Sequence, residues 1–157
     1  MSNVDASTRI FFDASCLIAA AASPSGGSEF IWRLCERGLL RAVVSQAVLI
    51  EAESNLSRKF GSDCLLRHRL QIQKGAPQIA AIPRLDSELR LYPGINPKDE
   101  HVVAAAHAAD ADFILTLDQP LADEIDRAAL GVLVRSPGAF IRLDLSGHPA
   151  FASVRDG

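Results

Sequence analysis

Short apolar runs alternate along the chain with longer stretches in which apolar residues recur every three or four positions. The run "RIFF", Arg9 to Phe12, predicts a strand ending at Asp13, and "ASCLIAAAA" after it reads as helical or irregular. Past the turn "SPSGGS", Phe30, Ile31 and Leu34 recur at helical spacing from Ser28 to Arg37, and Gly38 stops that helix. "LLRAVV", Leu39 to Val44, predicts a second strand. Ser45 then caps a helix whose apolar face is Val48, Leu49, Ala52 and Leu56, ending at Lys59 and Gly61. A further helix runs from Ser62 to about Gln73, and "PQIAAIP" predicts a short third strand between prolines. After "YPGINP" come a helix from Pro97 to about Ala109 and a strand from Asp112 to Leu117. A brief acidic helix near Leu121 to Ala129, the strand "GVLVR" and a short helical or extended piece around Ala139 to Leu143 follow. Short, continuous, branched strands alternating with helices are expected where helices cover both faces of a parallel sheet, so the class is α/β.

Composition agrees with this pattern. The 157 residues fit a single domain, core about 9–143 with loose termini, and a chain of this length buries roughly two thirds of its unfolded surface. An apolar share of 48% against 22% charged excludes a disordered chain. Cys16, Cys35 and Cys64 have neither C-x-x-C spacing nor histidines at zinc spacing, and read as buried small hydrophobes in a reducing cytoplasm. "CLIAAAA" follows an acid, lacks a basic region before it and is too short to cross a bilayer, so no membrane segment is expected.

Charge changes the picture more. The net charge is −3, but residues 33–90 carry ten Lys+Arg against six Asp+Glu, whereas residues 91–157 carry five against ten. A basic middle and an acidic final half suit an anionic partner near an acidic site; solvated helix faces of either sign are the plainer reading.

Four acids stand at telling positions. Asp13 and Asp118 each follow a hydrophobic run expected at the centre of the sheet, and ligands of open parallel sheets bind beyond the carboxyl ends of the strands. At 100° per residue Asp99 lies within about 60° of Val102, Val103 and Ala106, the inward stripe, with His101 and His107 turned away. Alone, Asp99 also reads as an acid complementing a helix macrodipole, a role that fits Glu100 better. Glu51 sits at the edge of its helix's apolar stripe, about one turn in, where it can reach over the sheet. Two unit charges ~5 Å apart repel by roughly 3 kcal/mol at an effective dielectric near 20, so four converging carboxylates must take up protons or bind a cation. Oxygen ligands without His or Cys suit Mg²⁺ or Mn²⁺, and ions so held can orient a water for in-line displacement at a phosphodiester. The pattern points to a nuclease.

The stretches "FFDAS" with Asp13, "VSQAVLIEAESNL" with Glu51, "NPKDEHVVAAA" with Asp99 and "FILTLD" with Asp118 resemble the PIN-domain ribonucleases, which include bacterial toxins of toxin–antitoxin pairs. The order and spacing of the four acids match across roughly residues 9 to 143. The resemblance implies a three-layer fold with a central parallel sheet flanked by helices. It implies Asp13, Glu51, Asp99 and Asp118 as catalytic, metal-binding acids, and Ser15 and Thr116 as supporting hydroxyls. It also implies Mg²⁺ or Mn²⁺, hydrolysis of single-stranded RNA, an antitoxin protein as partner, and a homodimer. One departure is that "DQPLADEI" lacks the Asn-and-Phe stretch frequent in toxin members. Of the other acids nearby, Asp112 reads as a strand-start surface residue and Asp123 as a candidate accessory.

On the substrate side, Arg33, Arg37, Arg58 and Lys59 are the candidate RNA-binding residues, with Arg41, Arg67, Arg69 and Lys74 as further cations along the approach. Trp32 reads as core or dimer interface, and no base-stacking platform is evident. Two rival functions remain. A receiver-type phosphoacceptor domain wants a close acidic pair after the first strand, whereas Asp13 is followed by Ala14, Ser15 and Cys16. A PIN-like binding module without turnover keeps the fold and the acids but not the reaction.

Overall fold

The computed structural model describes residues 4–81 and 92–152. β1 (Arg9–Phe12) leads into α1 (Ala14–Ala22) and α2 (Gly27–Glu36); β2 (Arg41–Val44) leads into α3 (Gln46–Lys59) and α4 (Ser62–Gly75). β3 (Gln78–Ile79) precedes a 3-10 turn (Pro97–Asp99) that opens α5 (Glu100–Ala108). β4 (Phe113–Leu115), α6 (Gln119–Ala128), β5 (Leu133–Arg135) and α7 (Pro137–Leu143) complete the alternation. The class is the α/β arrangement expected.

All strand pairings are parallel, in the order β3-β2-β1-β4-β5. The chain therefore lays β2 and β3 to one side of β1, then crosses back to add β4 and β5 on the other. The reversal falls between β1 and β4, and a crevice opens at such a point beyond the strand ends because the flanking connections leave in opposite directions. Phe12 is paired with Leu115 at the last step of that ladder, and the Asp13 N–H continues it to the Leu115 carbonyl at 3.0 Å.

Ile10, Phe11, Phe12, Val43, Val44, Ile114 and Leu115 are all fully buried, so the central strands are covered on both faces. This is why they read as unbroken apolar runs rather than alternating ones. α1 packs against α2, α3 and α4, and Trp32 of α2 lies in the core, edge-on to Phe12 with its Nε1–H donating to the Gln71 carbonyl at 2.9 Å. Trp32 is thus core. Val4 and Leu145 also belong to the buried cluster.

Element ends differ from the pattern-based ranges for local reasons. Gly38, at φ +76°, closes α2 with the Leu39 N–H on the Leu34 carbonyl, which delays β2 to Arg41. Ser45 caps α3 as expected, accepting from Val48 N at 3.2 Å. Asn96 and Pro97 open a 3-10 turn rather than α5 itself, whose first helical residue is Glu100. β3 is two residues long, and the last two residues of "PQIAAIP" lie outside the described region. The tail piece near Ala139 is a helix, capped by Ser136. Among the described residues no helix is long and apolar enough to cross a membrane.

Candidate active site

Beyond the carboxyl ends of β1 and β4 lies a cavity of about 310 Å³ whose lining includes Asp13, Glu51, Asp99 and Asp118. Four elements deliver them. Asp13 is the residue after β1 and the cap of α1, where one carboxylate oxygen accepts from Ala14 N at 2.8 Å. Its other oxygen accepts from Thr116 Oγ1 at 2.7 Å and, at 3.3 Å, from Ser15 Oγ. Thr116 Oγ1 in turn accepts from Asp118 N, and Ser15 Oγ from Leu117 N, both at 3.0 Å. The two hydroxyls therefore stitch the end of β4 to the end of β1 and fix Asp13, which is 8% exposed, in one orientation.

Asp118 opens α6 as its cap, accepting from Leu121 N at 3.1 Å with one oxygen. Asp99 behaves differently. It stands at the cap position of α5, yet its side chain makes no capping hydrogen bond, so the reading of Asp99 as a helix-terminus acid lacks its expected contact. Burial, followed by the nearby charges of Asp118 and Asp13, raises its pKa, while Lys98 and His101 act in the opposite direction. Asp99 is held among like charges without a bond that favours its ionised form. Glu51 projects from the second turn of α3 and is exposed.

Among the described residues, no three His, Cys, Asp or Glu side chains are disposed to hold a metal ion between them. The four acids rim a cavity rather than close on a point, as mutually repelling carboxylates do. The donor set still suits a hard divalent cation, being all oxygen and carrying more negative charge than its surroundings neutralise.

Asn55, Lys98 and His101 share the lining with Ile18 and Val102, and none of these was expected there. Asn55 was legible, since it stands one turn beyond Glu51 on the same helix face. His101 was not: Lys98 and Asp99 of the 3-10 turn and His101 and Val102 of α5 all border the cavity, so its lining is not confined to the inward stripe that a helical wheel picks out. Of the candidate cations, Arg33 pairs with Glu29 at 2.9 Å on α2 and Arg37 caps the end of that helix. Arg58 and Lys59 lie in the last turn of α3; none of the four lines the cavity. Arg58 nevertheless continues the Glu51–Asn55 face, at i+7 from the acid. Asp112 is structural, accepting from Arg9 N at 2.8 Å where β1 and β4 begin, and Asp123 is occupied by Gln119 at 2.8 Å away from the cavity.

A parallel α/β sheet with acids gathered at its switch point defines a class of protein that acts on a ligand at the strand ends. The PIN-domain family profile matches residues 9–120, and the chain belongs to that family, whose members are nucleases. The crystal structure of VapBC2 from Rickettsia felis bound to a DNA fragment from their promoter contains a chain of like fold. Its TM-score is 0.51 at 12% identity, covering 82% of this chain and 98% of that one. At that identity the likeness concerns the fold. No curated protein matches the chain by sequence.

Proposed function

We propose that this PIN-domain protein is an Mg²⁺- or Mn²⁺-dependent endoribonuclease that hydrolyses single-stranded RNA, with Asp13, Glu51, Asp99 and Asp118 as its catalytic, metal-binding acids. The observation that carries the reading is Asp99, a carboxylate kept among like charges with no capping bond to account for it. Held by these acids, the ion would orient a water, help deprotonate it and offset charge on the phosphodiester. The chain's own residues do the rest. Thr116 and Ser15 hold Asp13 in one rotamer, so a ligand oxygen is presented without an ordering cost when substrate arrives. Lys98 at the rim and Arg58 beyond Asn55 attract the backbone phosphates that flank the scissile one.

The test is cleavage of mixed single-stranded RNA, with single-stranded DNA alongside, by the purified protein in Mg²⁺ or Mn²⁺. EDTA and an Asp13→Ala/Asp99→Ala double variant serve as controls. Metal-dependent cutting that the variant lacks supports the nuclease. A protein that neither cuts nor binds the ions by calorimetry supports the second reading, a PIN-like binding module, which the open rim of acids favours.

The same reading carries an antitoxin partner, supported by the likeness in fold to a chain of the VapBC2 complex, and a homodimer in the cytoplasm. Phe60 at the end of α3, with Leu66 and Leu70 one turn apart on α4, offers the dimer an exposed apolar face. A Leu66→Glu/Leu70→Glu variant should run as a monomer in light scattering with its melting temperature kept; unchanged mass would place the contact elsewhere.

A further inference from the structure

A second cavity, of about 270 Å³, is built from the same elements as the acidic one. α1 gives Ser15 to the acidic cavity and Ala19, one turn on along the same face, to the second, with Ser23 following at the helix end. The end of β4 divides in the same way. Asp118 lines the first cavity and Leu117 the second, and the Leu117 N–H is bonded to Ser15 Oγ at 3.0 Å. The starts of α2, at Gly27, and of α7, at Pro137, complete the enclosure. A strand lying across the acids therefore meets the second cavity about one helical turn, ~5.4 Å, from Ser15.

The chemistry of the two cavities differs. Among the described residues no charged side chain lines the second one, and its polar side chains are serines. Leu117 is 52% exposed although it stands between the buried Thr116 and Asp118, so apolar surface is left in water at the margin of the acids. A flat, uncharged group with an apolar face and polar edges removes that surface from water without a charge to neutralise. Gly26 caps α2 without a side chain, so the first N–H groups of that helix lack a capping acceptor and can donate to the edge of such a group.

We propose that this cavity is a nucleobase subsite, in which Leu117 and the Ala19 face of α1 cover the base of a nucleotide next to the one cut at the acids. The inference rests on the nuclease reading and deepens it. Phosphate contacts alone let a strand slide, whereas a base held by the segment that carries Thr116 and Asp118 fixes which phosphodiester lies over the carboxylates.

Removing bases while keeping phosphates tests this. Binding of a short, labelled single-stranded RNA of mixed sequence would be followed by anisotropy in Ca²⁺, beside a fully abasic strand of the same length. Wild type should prefer the intact RNA. Leu117→Ala should weaken binding of the intact RNA by about tenfold, as for the loss of roughly two buried methylenes, and leave the abasic strand and the salt slope unchanged. Leu117→Met should bind like wild type and Leu117→Asn like Leu117→Ala. Ala19→Gln, which fills the cavity from α1, should also lower affinity for the intact RNA alone. Mn²⁺ affinity by calorimetry and the melting temperature should stay at the wild-type values in all four variants.

Equal affinity of wild type for the two strands would overturn the assignment, as for a phosphate held at the start of α2. Unchanged affinity in Leu117→Ala would overturn it too, and leave the cavity to a side chain of a protein partner. So would a fall for both strands alike, a loss in Leu117→Ala that Ala19→Gln does not share, or a parallel fall in Mn²⁺ affinity or melting temperature. Wild-type cleavage would persist in each case, and the nuclease reading with it. Wild-type protein that neither cuts nor binds the RNA would overturn both.

Discussion

Asp99 couples the chemistry of the site to the stability of the fold. Its pKa lies above the ordinary carboxylate value of 3.8, through burial first and then the charges of Asp118 and Asp13. A group whose folded pKa is raised binds more protons folded than unfolded, so its contribution makes the protein more stable as pH falls toward 3.8 and less so above the raised value. Asp99→Asn should therefore abolish cleavage, leave the metal-free protein at least as stable at neutral pH, and flatten that part of the stability profile. Thermal melts between pH 4 and 7 in EDTA would show it, and destabilisation of the variant would give Asp99 a structural role instead. Thr116 is the opposite case. The residue is 2% exposed, and its hydroxyl both donates to Asp13 and accepts from Asp118 N, so Thr116→Val leaves two polar groups short of a partner. A loss of about 1–3 kcal/mol in urea melts is expected, with weaker cleavage. A neutral result would mean that water replaces the hydroxyl.

At the level of elements, one glycine is fixed by a tertiary contact. A Cβ on Gly75, the last residue of α4, would overlap the indole ring of Trp32. The ring cannot yield, being wedged against Phe12 and bonded to the Gln71 carbonyl. Gly75→Ala should thus destabilise by about 1–3 kcal/mol despite the better helix propensity of alanine, and Trp32→Phe in the same chain should recover part of the loss. Denaturant midpoints of the two single variants and the double variant decide this. The example also marks where the sequence stops speaking. Strands β1, β2, β4 and β5 and their helices were legible because each buries an unbroken or periodic apolar set. Ser45, Asn96 and Gly38 announced their caps by residue type. The strand order was not written in any one segment, since parallel pairing is settled between runs far apart. Nor was the 3-10 start at Pro97, nor the place of His101, which lines the cavity although it lies off the inward stripe of α5. That Asp13, Asp99 and Asp118 border one cavity was legible from their places at element ends, and Glu51 and Asn55 from a shared face of α3; Lys98, in the turn before α5, was not.

For the molecule as a whole, the uneven charge becomes an argument about which cations are committed to the fold. Arg67 and Gln71 of α4 donate to the Ala21 and Ala20 carbonyls and so satisfy the end of α1. Arg69 bridges to Glu53 at 2.6 Å, Arg33 pairs with Glu29, and Arg135 with the buried Asp144 at 2.8 Å. In the basic middle, Arg67 and Arg69 therefore hold helices to one another and Arg33 is paired within its own, so the excess of +4 over residues 33–90 overstates what an RNA would meet. Arg58 is exposed, gives Nε–H to the Ser54 carbonyl of its own helix at 3.4 Å, and stands on the face that leads from Glu51 through Asn55. A phosphate contact there releases counterions, and for a single strand each such contact contributes about 0.7 to the slope of log K against log salt. Arg58→Gln should lower the slope by about that amount and weaken binding at low salt, whereas Arg33→Gln, paired on α2 away from the cavity, should change neither. The comparison is made in Ca²⁺ with the same labelled RNA. Equal slopes for Arg58→Gln and wild type would move the strand off α3, and a lowered slope for Arg33→Gln would carry it across α2 instead.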